Sequence, residues 1–122
     1  MEKYSDVMKQ SSALLETVDE GLQHMQTLLK HGKYEATISL FEDIVQAFST
    51  IEKSVLNLPE ELLTDDIQSL TGKVRNALDS VVDAYEANRY GSVRELLQFT
   101  LLPVYRKWAK ELNRTFTLYV VS

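Results

Sequence analysis

Residues 4–29, YSDVMKQSSALLETVDEGLQHMQTLL, place Tyr4, Met8, Ser11, Leu15, Val18, Leu22, Met25 and Leu29 at steps of four and three without a slip. Val7, Leu14 and Leu28 widen the same stripe. A stripe at that spacing stays on one face of a helix of 3.6 residues per turn, so the stretch reads as one long amphipathic helix. Outward from it the rhythm continues. His31-Gly32-Lys33 interrupts it, glycine being the usual residue to close a helix in the left-handed conformation.

A second stripe follows: Tyr34, Thr37, Phe41, Ile44, Phe48, Ile51 and Val55. It ends near Asn57-Leu58-Pro59. Pro59 with Glu60 and Glu61 suits the first turn of a third helix, and Thr64 with Asp65 and Asp66 offers an alternative start that leaves 59–63 as a separate turn. The third stripe is Ile67, Leu70, Val74, Ala77, Leu78, Val81 and Tyr85. Ser92-Val93-Arg94-Glu95 has the spacing of a capping box, so a fourth helix is expected from residue 92 with Val93, Leu96, Leu97, Leu101, Val104, Trp108 and Leu112 inward. Helices over about 3–31, 33–57, 60–88 and 92–113, joined by short loops, predict an all-α fold. The expected arrangement is an up-down-up-down antiparallel four-helix bundle forming one domain over 1–122.

A shift of 56 positions lays the first hairpin on the second. Leu22 falls on Leu78, Tyr34 on Tyr90 and Leu40 on Leu96. The pattern is that of two similar hairpins, with Tyr34 and Tyr90 at equivalent corners, where a ring packs and its hydroxyl stays wet.

Composition excludes more than it assigns. In 122 residues there is no cysteine, which removes disulfides, thiolate catalysis and cysteine-ligated metals. Hydrophobic residues at 44% and charged residues at 25% are ordinary for a globular domain, and no apolar run reaches the roughly 18 residues of a membrane span. A cytoplasmic protein with no membrane role is the expectation. The net charge of −5 makes nucleic acid a poor partner, although residues 59–88 carry −5 and residues 89–122 carry +4. His24 and His31 are two turns apart, and the carboxylates Glu16, Asp19, Glu20, Glu42, Asp43, Glu60, Glu61, Asp65 and Asp66 include no Glu-x-x-His element. No phosphate loop, nucleophile elbow or dinucleotide fingerprint is present. Neither catalysis, a metal nor a cofactor is expected.

Two features stand outside the helical rhythm. Thr115-Phe116-Thr117-Leu118-Tyr119-Val120-Val121 is β-branched and aromatic, which predicts a short extended tail over 115–122. Pro103 sits within the fourth stripe, where a proline removes a hydrogen bond and crowds the carbonyl of Phe99, so a kink is expected, with a hydrophobic groove opening at it as the functional version. Beside it Arg106, Lys107, Lys110 and Arg114 form a basic strip. Aromatic and arginine side chains dominate interface energetics, so the candidate partner-binding residues are Tyr105, Arg106, Trp108, Lys110, Phe116, Leu118 and Tyr119.

Gly32-Lys33-Tyr34-Glu35-Ala36 followed by Phe41 resembles half of a tetratricopeptide repeat, but the helices are about twice as long and no 34-residue period follows. Ala84-Tyr85-Glu86 and Leu97-Gln98-Phe99 through Leu101-Leu102-Pro103-Val104-Tyr105-Arg106-Lys107-Trp108 resemble short, acidic, uncharacterised helical proteins of Gram-positive bacteria. In size and helical make-up the chain is also similar to small flagellar and type III export chaperones, a resemblance that implies binding of an apolar segment of a protein partner. The function expected is therefore a non-enzymatic interaction module, adaptor or export-chaperone-like, with an unknown protein partner or a second copy as homodimer. The alternative is a bundle holding a small apolar ligand.

Overall fold

The computed structural model describes the backbone of residues 2–121 and the side chains of residues 6–118. It is all-α, with no strand among the described residues. The elements are α1 (Glu2–Lys30), α2 (Ala36–Leu56), α3 (Asp65–Glu86), α4 (Tyr90–Leu96) and α5 (Leu102–Val121). A π-helical turn over Leu97–Leu101 joins α4 to α5, so the last three form one continuous rod and the described residues make four helices.

Two corners, 56 residues apart, close in the same way. After α1, the Lys33 N–H reaches back to the Leu28 carbonyl and the Gly32 N–H to Leu29, with Gly32 at φ 73°. After α3, the Arg89 N–H reaches Ala84 and the Asn88 N–H reaches Tyr85, with Asn88 at φ 58°. Both are Schellman closures, which satisfy the free carbonyls of a helix end through one left-handed residue. Asn88 is thus the counterpart of Gly32, a role that asparagine tolerates better than other side chains.

Several boundaries differ from those expected. The second helix begins at Ala36 rather than near residue 33, because Tyr34 and Glu35 form a turn that accepts the Thr37 and Ile38 N–H groups. The third begins after Thr64, whose hydroxyl accepts from the Ile67 N–H at 3.2 Å, while Pro59–Leu63 is a separate turn. The fourth begins at Tyr90, so Ser92 lies inside the helix and its capping box is not used; the closure at Asn88 had already reversed the chain.

The predicted extended tail is corrected: α5 runs on to Val121. Helical packing overrides β propensity here, since Trp108, Leu112 and Phe116 extend one stripe at spacings of four and Phe116 is buried. Ser122 and the side chains of Tyr4 and Tyr119 lie outside the described residues.

Pro103 does not break the rod. Immediately before it the helix widens, with the Leu102 N–H donating to the Leu97 carbonyl five residues back. A π turn inserts one extra residue into a helix, and that residue lets the ring be accommodated. The inward positions Val93, Leu97, Leu101 and Tyr105 step by four three times, so on a regular helix at about 100° per residue the stripe would drift by roughly 120°. One extra residue absorbs nearly all of it.

Contact partners then align the helices. Along α1, Ser12 meets Asn113, Leu15 meets Tyr105 and Asp19 meets Arg106. Between α2 and α3, Thr37 meets Tyr85 while Glu52 meets Arg75. At the centre of the core the Phe48 and Trp108 rings lie 5.1 Å apart, and Tyr105 meets Trp108 edge-on at 5.6 Å.

Candidate functional site

Among the described residues the core leaves no side-chain polar group without a partner, which decides what the buried side chains are for. The Trp108 Nε1–H donates to Thr71 Oγ1 at 2.9 Å, and the Thr71 hydroxyl donates to the Ile67 carbonyl at 2.7 Å. The Tyr105 hydroxyl donates to the Leu15 carbonyl at 2.7 Å. Burial pushes the Tyr105 phenol well above its usual value, and the negative charge of Asp19 adds to the effect. At the corner end, Thr37 donates to the Tyr34 carbonyl, so the Tyr85 hydroxyl donates to Thr37 Oγ1 at 2.6 Å. Tyr85 is raised as well, chiefly by burial. Among the described residues no buried side-chain nitrogen or oxygen lacks a hydrogen bond. These networks fix the packing, and none points at an empty space.

Of the residues expected at a partner surface, Tyr105, Trp108 and Phe116 are corrected to core positions, with Trp108 at 0% exposure. The physical cause for Tyr105 is the π turn, which rotates α5 by about one residue and brings Tyr105 inward where a regular helix would have placed Val104. Arg106 lies across α1, its Nε 3.2 Å from Asp19 Oδ1, and Arg114 pairs with Glu111 at 3.1 Å. Lys110 and Leu118 are exposed on α5, whereas the Tyr119 side chain lies outside the described residues. The six whose side chains are described are therefore not brought together as one surface.

The sequence reading missed Phe99. It sits at the middle of the π turn and is 71% exposed, the most exposed large hydrophobic side chain described. Its signal was available: it is an aromatic residue lying off the inward stripe, flanked by Leu97 and Leu101, which are both buried. Phe99 borders an open cleft of about 470 Å³ between α3 and the α4–π segment. Ser80, Asp83 and Ala84 form one wall and Arg89, Ser92, Glu95, Leu96 and Thr100 the other.

The cleft holds an apolar patch with charges at its rim, and among the described residues no group of three His, Asp or Glu side chains could hold a metal. No helix of the described residues is long and apolar enough to cross a membrane. Among the described residues the fold and cleft define an all-helical scaffold with a packed core and the aromatic side chain of Phe99 presented outward.

The chain belongs to the family described as "Domain of unknown function (DUF8042)", which matches residues 6–111. No curated protein and no solved structure matches it. The family match covers α1 from residue 6, α2 to α4, the π turn and the first half of α5, and so includes the whole cleft. It brings no link to the Gram-positive helical proteins or the export chaperones.

Proposed function

We propose that the protein is a non-enzymatic interaction module of the cytoplasm, adaptor or export-chaperone-like in action, which docks a segment of a protein partner in the α3–α4 cleft with Phe99 as the apolar anchor. The scaffold is one up-down-up-down antiparallel four-helix bundle of two similar hairpins. In support, contact partners rise from Ser12 to Asp19 on α1 as they fall from Asn113 to Arg106 on α5, and both corners close alike.

The observation that carries the function is the exposure of Phe99. Leaving a phenylalanine in water forgoes about 1.5–3 kcal/mol of burial, and the π turn holds this one out beside a ready-made cleft. π turns inside helices are frequent at functional sites. The centre of the core is filled by Trp108, Tyr105 and Phe48, which favours a surface partner over an internal apolar ligand. The groove is favoured over the C-terminal region because Phe116 is buried and Arg106 and Arg114 are engaged within the chain.

The test is a photoreactive phenylalanine analogue placed at position 99 in the native host, with one at Leu56, 61% exposed at the end of α2, as the control. Position 99 is expected to give a discrete protein adduct that position 56 does not. An absence of adducts at 99, or the same pattern at both, overturns the reading.

A further inference from the structure

The charges around the cleft specify the segment it takes. Asp83 and Glu95 stand on opposite walls, with Arg89 beside the corner, around an apolar patch of Ala84, Leu96 and Phe99. Among the described residues the ion pairs are Arg75–Glu52, Arg106–Asp19 and Arg114–Glu111, so none of the three rim charges is neutralised by a partner. Unpaired charges ringing an exposed aromatic form the anchor-and-rim pattern of a binding patch, in which the rim sets specificity and encounter rate. Carboxylates outnumber guanidinium two to one there, which leaves the rim with a net charge of −1.

Length and shape narrow the choice further. From Arg89 to Thr100 the second wall spans eleven steps, about 16 Å or three turns at 1.5 Å per residue. A groove between two helices accepts a third helix by its apolar stripe, read at spacings of three and four. Asp83 and Glu95 at the rim disfavour an anionic lipid surface.

Resting on the protein-binding reading above, we infer that the occupant is a cationic amphipathic helix of a partner protein, about three turns long. Its apolar stripe meets Phe99 and Leu96, and its lysine or arginine side chains meet Asp83 and Glu95.

The test titrates the full chain with two labelled synthetic helices that share one leucine stripe, one with a lysine polar face and the other with a glutamate face, followed by fluorescence anisotropy. The lysine helix binds at least about tenfold more tightly than the glutamate helix, and Phe99→Ala weakens it about tenfold. Glu95→Lys weakens the lysine helix and strengthens the glutamate helix, while Glu42→Lys on α2 changes neither, which separates the cleft from general attraction to an acidic protein. Phe99, Glu95 and Glu42 are exposed, so the variants are expected to fold, as circular dichroism verifies.

If Phe99→Ala weakens both helices equally and Glu95→Lys alters neither, the charge inference fails and the docking role of the cleft stands. If neither helix binds, or binding ignores Phe99, both fail. If the chain alone sediments as a dimer that Phe99→Asp converts to a monomer, the occupant is a second copy and the inference is overturned.

Discussion

The rings of Tyr34 and Tyr90 lie flat against each other, centroids 5.1 Å apart and only 4° from parallel. They occupy equivalent places after the two Schellman closures, so one contact ties the α1–α2 corner to the α3–α4 corner. Tyr85 meets Tyr90 edge-on at 6.3 Å and Phe41 at 5.4 Å, extending the cluster into the core. Stacked aromatic pairs contribute about 0.5–1.5 kcal/mol beyond area burial. A double-mutant cycle of Tyr34→Ala and Tyr90→Ala, read by urea unfolding, should return a coupling in that range.

The two corner residues should respond differently to substitution. A Cβ added at Gly32 would meet nothing within 4 Å, so Gly32→Ala isolates the backbone cost of φ 73°, about 1 kcal/mol. Asn88→Ala should cost a similar amount, whereas Asn88→Gly should be neutral or slightly stabilising. Chemical denaturation of the three variants checks the order.

Helical rhythm carried the fold class, because four stripes at three-four spacing leave few alternatives to long packed helices. It also carried the twinned corners, through Tyr34 and Tyr90. What it did not carry was phase. The π turn at Leu97–Leu101 depends on three consecutive steps of four, and reading Val104 inward instead of Tyr105 hid the rotation. The tail departs from the expected extended form for the complementary reason: local β propensity in Thr115–Leu118 yields to burial of Phe116 on the α5 stripe. Phe99 is not legible as an anchor because Trp108 and Tyr105 carry the same aromatic signal in sequence, and the core claims them.

The Trp108–Thr71 hydrogen bond should behave as a buried pair. Thr71→Val strands the indole N–H and is expected to cost about 1–3 kcal/mol in the native background. In a Trp108→Phe background, with no indole donor to strand, the same substitution should cost much less. Unfolding free energies of the four proteins close the cycle.

Alkaline pH should unfold the protein through its buried phenols. Burial raises Tyr105 and Tyr85 above the usual value of about 10, so the neutral form is favoured in the folded state. The stabilisation from each is complete below about pH 10 and is lost as pH climbs toward the folded value. Of the six tyrosines, Tyr85 and Tyr105 should ionise late, together with loss of helical signal. Absorbance near 295 nm followed alongside circular dichroism tests this, and Tyr105→Phe should remove one late equivalent.

If the π turn is one inserted residue, deleting one should be tolerated there and nowhere nearby. Deletion of the exposed Thr100 restores a regular α register between Leu97 and Tyr105 and should leave stability within about 1 kcal/mol. Deletion of Lys110 turns Leu112 and Phe116 out of the core by about 100° and should unfold the chain. Thermal melts of the two deletions decide it.

The most direct test of the docking role of Phe99 compares what co-purifies with the wild-type chain and with Phe99→Asp in the native host, both verified as folded. The account predicts a near-stoichiometric protein partner with the wild type and at least about a tenfold loss with Phe99→Asp. Equal recovery with both chains, or no partner with either, would contradict it.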